Sequence, residues 1–501
     1  MLPLFQRLPH NAAVAALGAL LCLAPAGIAA ARPAPASFAD LAEKLLPSVV
    51  NISTTQRLEA DRPDAGEAGP KSSNPSDSPF EEFFRNFFDH DAPQQGRPGA
   101  EPRSATSLGS GFIVDPAGYV VTNYHVIGDA DEITVILHDD TNLKAKLVGR
   151  DPKTDIALLK VNTTEKLVPV VWGDSDAARV GDWVLAIGNP FGLGGTVTAG
   201  IVSARQRDIN AGPYDDFLQT DAPINRGNSG GPMFNMDGEV IGINTAIYSP
   251  SGGSIGIGFA IPSSLARAVV EELKNEPDHT VHRGWLGVRI QEVTGEIAES
   301  LGLAKAEGAL VASVMRDGPA RLAGVRPGDV ILTFNGKAVT DMRRLPRLVA
   351  ETPVDRTVPL TVWRDHQQRR LRVKVGRLAE NAPQLASARK TARPEGDSAT
   401  ATARTLGLTL SSLTPDLRHK FSLSDTAKGI VVVEVAPNSP AAAKGMRPGD
   451  VILEAAQEEL KRPDQLTGKV ADAKKSGRKS ILLLVDRQGD LRFVPLRLDQ
   501  G

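Results

Sequence analysis

Gly227-Asn228-Ser229-Gly230-Gly231-Pro232 is the stretch on which the reading of this chain turns. A serine hydroxyl is a poor nucleophile until a neighbouring base takes its proton. Its reaction also needs backbone amides aimed at the carbonyl oxygen that becomes negative. Glycines on both sides of a serine allow such a turn without a Cβ clash. Ser229 is therefore the candidate nucleophile. Gly227, Asn228 and Ser229 are assigned to the oxyanion hole, with the amides of Gly227 and Ser229 as its donors.

Working outward, the base is sought among eight histidines. His125, in Thr122-Asn123-Tyr124-His125-Val126-Ile127, is expected at the end of a strand just before a polar turn, where an imidazole can face a cleft. The others lie in loops or in the N-terminal leader. Asp155 opens the apolar run Ile156-Ala157-Leu158-Leu159-Lys160-Val161. A carboxylate there is costly to bury unless it is paired, and pairing with the imidazole Nδ1 would fix the tautomer. The order His, Asp, Ser is that of chymotrypsin-like enzymes and differs from subtilisin-like enzymes and α/β-hydrolases.

The surroundings agree with a β architecture. From Leu108 to Pro262 short β-rich runs alternate with Gly and Asp turns, the pattern of a sandwich or barrel. Glu239–Ala246 reads as a strand beside the cleft, and Thr245, Ala246, Ile247, Tyr248 and Ser249 are assigned to its substrate-lining end. Residues 263–275 read as an amphipathic helix begun by a Ser N-cap. Beyond it Arg326-Pro327-Gly328-Asp329-Val330-Ile331-Leu332 recurs as Arg447-Pro448-Gly449-Asp450-Val451-Ile452-Leu453, which predicts two copies of one domain.

Composition narrows the class. A hydrophobic content of 41% supports packed cores, and a net charge of −2 gives no bulk attraction to nucleic acid. Arg7, the apolar run 12–24 and Ala29-Ala30-Ala31 read as a secretory signal. Cys22, the single cysteine, lies inside it, so disulfides are not expected in the processed chain. No HExxH motif, Cys/His cluster or phosphate-binding glycine loop occurs, so neither metal nor cofactor is expected. Residues 59–106 are rich in Pro, Gly, Ser and acids and read as a long mobile loop. Within it Phe80, Phe83, Phe84, Phe87 and Phe88 share one helical face, suited either to local packing or to docking on another subunit or cleft.

Four stretches carry a specific resemblance: Gly118–Val126 around His125, Asp151–Lys160 around Asp155, Ile187–Gly192, and Gln219–Gly231 leading into Ser229. Together they resemble the HtrA family, in particular its periplasmic Do-type (DegP/DegQ-like) serine endoproteases, and the C-terminal repeat resembles PDZ domains. The resemblance implies a mainly β chain, with a trypsin-like double β-barrel protease domain followed by two PDZ-like domains. Its expected organisation is a signal peptide at 1–31, protease domain at 32–276, first PDZ domain at 282–378, linker at 379–403 and second PDZ domain at 404–499.

The same resemblance implies ATP-independent cleavage of unfolded or damaged envelope proteins after small or β-branched residues. It also implies chaperone activity, trimer-based homo-oligomers, and a periplasmic location with at most peripheral membrane contact. Its partners would be misfolded proteins and C-terminal peptides. Asn189–Gly195 resembles an activation loop, and the phenylalanine island a loop that plugs a neighbouring subunit's site. Arg283, Trp285, Leu286, Gly287 and Val288 fit the PDZ loop that holds a peptide carboxylate. The second copy, Thr405-Leu406-Gly407-Leu408, is less typical, with Gln457-Glu458 where the first has Asn335-Gly336, and assembly is an alternative role for it. A second class of function stays open: a holdase or scaffold that binds misfolded chains without cutting them.

Overall fold

Short antiparallel strands, many of them buried on both faces, build the first half of the chain. A computed structural model describes residues 35–57, 104–128, 130–189, 195–209, 211–212, 214–225, 227–247, 254–378, 402–424 and 426–498. The signal at 1–31, the phenylalanine island, residues 190–194, Tyr248, Ser249 and linker residues 379–401 lie outside them. Strands β1 (Val49–Arg57), β2 (Ser104–Asp115), β3 (Tyr119–Thr122), β4 (Glu132–Ile136), β5 (Asn142–Asp151) and β6 (Ile156–Val161) close an antiparallel barrel in the order β1-β2-β3-β6-β5-β4.

A second ring follows, formed by β8 (Trp183–Gly188), β9 (Thr196–Arg207), β10 (Phe217–Thr220), β11 (Pro232–Phe234), β12 (Glu239–Ile247) and β13 (Gly258–Pro262). The β11–β12 pairing closes it, and the two-residue β7 (Val171–Trp172) joins β12 in parallel.

Side chains alternate across a strand, and here both faces are apolar. On β6, Ala157, Leu159 and Val161 fill the first barrel, while Ile156 and Leu158 join a cluster spanning the seam. On β8, Val184 and Ala186 fill the second barrel, while Leu185 and Ile187 face the same seam. Each fully buried Leu or Ile contributes about 1.5–3 kcal/mol over an exposed one, so the seam is a packed interior and the chemistry sits at its rim. The helix Ser263–Asn275 packs on the seam through Ala266, Val269, Val270 and Leu273. Its expected Ser cap is corrected: Ser263 is the first helical residue, and its hydroxyl donates to Gly173 O at 2.8 Å instead.

Two similar sheets make up the rest. The first is β15 (Val288–Glu292), β16 (Ala309–Val314), β17 (Val330–Phe334), β18 (Lys337–Ala338), β19 (Thr357–Arg364) and β20 (Gln367–Lys374), with β14 (Gly284–Trp285) and β21 (Gly376–Arg377) paired as a separate two-stranded sheet. The second is β22 (Thr402–Thr405), β23 (Leu408–Ser412), β24 (Ile430–Val435), β25 (Val451–Ala455), β26 (Glu458–Glu459), β27 (Ser480–Arg487) and β28 (Asp490–Arg497). The order β15-β16-β17-β19-β20 recurs as β23-β24-β25-β27-β28.

The repeated Arg-Pro-Gly-Asp has one structural job in both copies. Asp329 accepts the Arg326 amide at 2.9 Å and a two-pronged contact from Arg364 at 2.6 and 2.7 Å. Asp450 does the same with Arg447 at 2.9 Å and Arg487 at 2.6 and 2.7 Å. The intervening Gly328 and Gly449 have φ of 84° and 92°, where only glycine sits without strain.

The copies differ in two ways. The turn after β25 is made by Ala456 and Gln457, at φ 51° and 64°, where the first copy uses Asn335 and Gly336. The expected alignment of Gln457-Glu458 with that turn is therefore one residue off. The Gln457 side chain reaches across to donate to Gly328 O at 3.1 Å. The second difference concerns the peptide groove. Thr402–Thr405 hairpins onto β23 through Leu406-Gly407 and packs against the helix Pro463–Lys475, filling the slot between that helix and β23. In the first copy β14 pairs with β21 instead, and β15 has β16 as its partner strand.

Candidate active site

His125, Asp155 and Ser229 come from three separate segments that meet at the seam. β3 ends at Thr122, and Tyr124–Ile127 forms a single helical turn, so His125 sits on that turn and not at a strand end as expected. Buried Val126 and Ile127 anchor the turn, and the Arg150 guanidinium lies 5.1 Å from the Tyr124 ring centroid. Asp155 occupies the left-handed region at φ 57°, which Asp tolerates better than most residues, and it is 1% exposed. From there its carbonyl accepts the Tyr124 amide at 3.1 Å and Asn123 Nδ2 at 2.8 Å.

The carboxylate is fully engaged. Oδ1 accepts the His125 backbone amide at 2.9 Å. Oδ2 accepts His125 Nδ1 at 2.7 Å and Thr245 Oγ1 at 2.7 Å. A buried carboxylate with three donors meets the condition under which such a charge is tolerated. With Nδ1 committed as donor, Nε2 is the ring atom left to act as a base.

Ser229 lies across the seam, tied to the first barrel. Its carbonyl accepts the Ser110 amide at 2.9 Å, and Ser110 Oγ donates to Gly227 O at 2.5 Å while accepting the Asn189 amide at 2.8 Å. The glycines after Ser229 follow from this closeness: a Cβ on Gly230 would strike Ser110 O and Thr122 Oγ1, and one on Gly231 would strike Ile187 O. Ser229 Oγ donates to Thr245 O at 3.3 Å, its hydrogen bond among the described residues. His125 and Asp155 are thus directly joined, and Ser229 reaches them through Thr245.

Thr245 is the residue that sequence reasoning misplaced. It was assigned to substrate contact, but its side chain is buried and points at Asp155. The register of β12 against β13 slips between Asn244 and Ala246, so Thr245 is an extra residue in the strand, and such a bulge re-aims a side chain. Ala246 and Ile247 are also buried, so their side chains do not line a cleft. Among the described residues no strand pairs with 245–247 on the side away from β13, which leaves backbone there for an added peptide strand. Thr245→Val should lower kcat for a peptide substrate about tenfold with little change in KM, since hydrogen bonds to charged groups contribute about 1.5–3 kcal/mol. An unchanged kcat in steady-state assays would make that hydroxyl incidental.

The oxyanion assignment needs one correction. The Asn228 amide donates to Asn225 O at 3.0 Å, so it is committed within the loop. The amides of Gly227, at φ 98°, and Ser229 have no acceptor among the described residues. The carboxylate-loop assignment is corrected at Arg283, whose guanidinium pairs with Asp151 of the first barrel. Leu286 is buried, and Gly287 has φ 72°, with its carbonyl accepting the Met315 amide at 2.8 Å.

One acidic-histidine cluster occurs among the described residues. Glu276, Asp278 and His282 bring ligand atoms within 4.8 Å of one another between the second barrel and the first repeat. Arg377 Nη2 lies 3.6 Å from Asp278 Oδ2, so the cluster reads as a salt-bridged turn.

Comparison with known proteins agrees with this architecture. The family model of the trypsin-like peptidase domain matches residues 109–243, and that of the PDZ domain matches 284–375 and 405–496. A probable periplasmic serine endoprotease, DegP-like, of Brucella suis biovar 1 (strain 1330) is 44% identical, covering 97% of this chain and 94% of the relative. A protein of the same description in Pseudomonas putida (strain W619) is 43% identical over 96% and 97% of the two chains. Among solved structures, the HtrA-type protease AlgW with a decapeptide matches with TM-score 0.53 and 41% identity, covering 68% of this chain and 99% of that one. Among the described residues no helix is long and apolar enough to cross a membrane.

Proposed function

The chain belongs to the HtrA-type, DegP-like family of periplasmic serine endoproteases, and from that premise we propose that it cleaves unfolded envelope proteins by acyl-enzyme chemistry at Ser229. It is a serine endopeptidase of the periplasm; the residue roles and the substrate class are the proposal. The observation that carries it is the buried Asp155, bonded at once to the imidazole Nδ1 and to Thr245, whose carbonyl holds Ser229 Oγ.

Catalysis begins when a substrate strand lies along 245–247 and Ser229 Oγ turns from Thr245 O to the imidazole. His125 Nε2 takes the hydroxyl proton as Oγ attacks the scissile carbonyl. The imidazolium so formed is stabilised by Asp155, which keeps its own negative charge. The amides of Gly227 and Ser229 receive the oxyanion. His125 then passes its proton to the leaving amine, the C–N bond breaks, and the acyl-Ser229 ester remains. Water, deprotonated by the same nitrogen, hydrolyses that ester.

Substrate choice follows from the site's dependence on extended backbone. A folded protein offers no free strand of sufficient length, whereas an unfolded one does. The test is mass-resolved digestion of one protein in native and denatured forms. Fragments from the denatured form alone, ending after small or β-branched aliphatic residues, are expected. Equal cutting of both forms would overturn the substrate class.

Chaperone activity and trimer-based assembly are further parts of the proposal, supported by the family relationship. Peptide C-termini are taken by the first PDZ domain, because Thr402–Thr405 fills the second groove. Titration calorimetry with a peptide bearing a free carboxylate should give one site per chain; two sites would show that this segment leaves the groove.

A further inference from the structure

Ser110 is fully buried in β2 and moves no proton in the proposed chemistry, yet it meets the nucleophile's loop with both its backbone and its side chain. Its amide donates to Ser229 O at 2.9 Å, and its hydroxyl donates to Gly227 O. A serine hydroxyl has one proton to give and lone pairs to spare. One lone pair accepts the amide of Asn189, the residue that follows β8, at 2.8 Å. The Ser110 carbonyl accepts Thr122 Oγ1 at 2.7 Å, from the last residue of β3.

These bonds fix the peptide planes around the nucleophile. The peptide joining residues 227 and 228 is held at both ends, its carbonyl by Ser110 Oγ and its amide by Asn225 O at 3.0 Å. The peptide joining 229 and 230 is held at both ends too, its carbonyl by the Ser110 amide and its own amide by Asn244 O at 2.8 Å. Between them lies the peptide joining 228 and 229. Its carbonyl accepts the Gly231 amide at 3.0 Å, and its N–H is the Ser229 amide, which has no acceptor among the described residues. Ser110 therefore grips the carbonyl on either side of one oxyanion donor. The other donor, the amide of Gly227, belongs to the residue whose own carbonyl Ser110 holds. Space for this contact comes from glycine. A Cβ on Gly188, Gly230 or Gly231 would crowd the Ser110 hydroxyl, carbonyl or Cβ in turn. Next to Ser110, Gly109 lets β2 press on Val126, on the turn that carries His125. Adjacent residues of one strand thus set the heights of the base and of the donors.

We propose that Ser110 is a positioning residue for the oxyanion hole, holding the Gly227 and Ser229 amides where the tetrahedral intermediate places its negative oxygen. Donors fixed in advance cost no reorganisation at the moment of reaction, and a misplacement of about 1 Å costs about 10²-fold in rate. Without the Ser110 hydroxyl the peptide joining 227 and 228 keeps only its Asn225 tie and can rotate, turning its neighbours with it. This inference deepens the Ser229–His125–Asp155 reading and rests on it.

The test uses the full chain, a chromogenic peptide and a peptidyl trifluoromethyl ketone, with Ser229→Ala assayed in parallel. Ser229 Oγ adds to the ketone carbon, the hydroxyl proton passes to His125 Nε2, and the carbonyl oxygen becomes the oxyanion, so the ketone reports on the hole itself. Ser110→Ala should lower kcat about 10- to 100-fold with KM within about twofold, somewhat less than the roughly 10²–10³ lost when an oxyanion donor is removed outright. The inhibition constant of the ketone should rise by the same factor, because the interaction is made to the transition state and not to bound substrate. A merely structural role would lower the melting temperature and spare both quantities. Val135→Ala, which empties space in the first barrel core, gives that comparison. Wild-type kcat in a folded Ser110→Ala protein, or ketone affinity that holds while kcat falls, overturns the proposal. If Ser110→Ala does not fold, Ser110→Cys carries the test, since a thiol is a weak donor. A kcat reduced at least fewfold with a matching loss of ketone affinity supports positioning, and wild-type values refute it. Cleavage by Ser229→Ala would instead mean that the triad reading itself had failed.

Discussion

Ser229→Ala should abolish hydrolysis of denatured casein, with kcat reduced by about 10⁶, the scale seen when a nucleophile is removed from a triad. The expectation follows from the division of labour at the seam. Oγ is the atom that bonds the substrate carbonyl, and alanine offers no replacement. Structural damage should be minor. The bonds that fix this loop, from the Ser110 amide to Ser229 O and from Ser110 Oγ to Gly227 O, are made to backbone. The variant also separates the two classes of function. A protein that has lost cleavage but still suppresses aggregation of an unfolded client combines both activities. Undiminished cleavage would remove Ser229 from the mechanism.

Asp155→Asn should lower kcat by about 10⁴ while KM stays near its original value, as expected when the tautomer of the base is no longer controlled. Asp155 presents acceptors to the His125 amide, His125 Nδ1 and Thr245 Oγ1. An asparagine presents one acceptor oxygen and an amino group with two donors. In the Oδ1 place the amino group would face the His125 backbone amide, which cannot give way. In the Oδ2 place it faces His125 Nδ1, and the ring relieves that conflict by moving its proton to Nε2. The nitrogen needed as base is then blocked. Steady-state kinetics on a peptide substrate checks this, and a loss of only twofold would move the acid elsewhere in the chain.

The parts of this fold that sequence carried openly are those set by local chemistry. The Arg-Pro-Gly-Asp repeat was legible because each copy needs Gly at positive φ and Asp to cap its own turn. Gly230 and Gly231 were legible because glycines beside a serine permit the tight turn that a nucleophile needs. What stayed hidden depends on residues distant in sequence. Thr245 meets Asp155 only because a bulge rotates it inward, and no periodicity announces an extra residue. Ser110 is an ordinary serine between two glycines until the barrels close on it. The PDZ resemblance puts Arg283 near the carboxylate loop, yet a buried aspartate in the first barrel takes its charge. The second PDZ turn uses Ala456 and Gln457 at positive φ, where no glycine marks the position.

The account depends on His125 acting on Ser229 across the seam, although Ser229 Oγ rests on Thr245 O at 3.3 Å. The most direct measurement is peptide mapping by mass spectrometry after treatment with a fluorophosphonate, which labels a serine only when a base activates it. The account predicts one adduct, on Ser229, formed far more slowly in Asp155→Asn and absent in His125→Ala. An adduct on another serine, or equal labelling of Ser229 without His125, would contradict it.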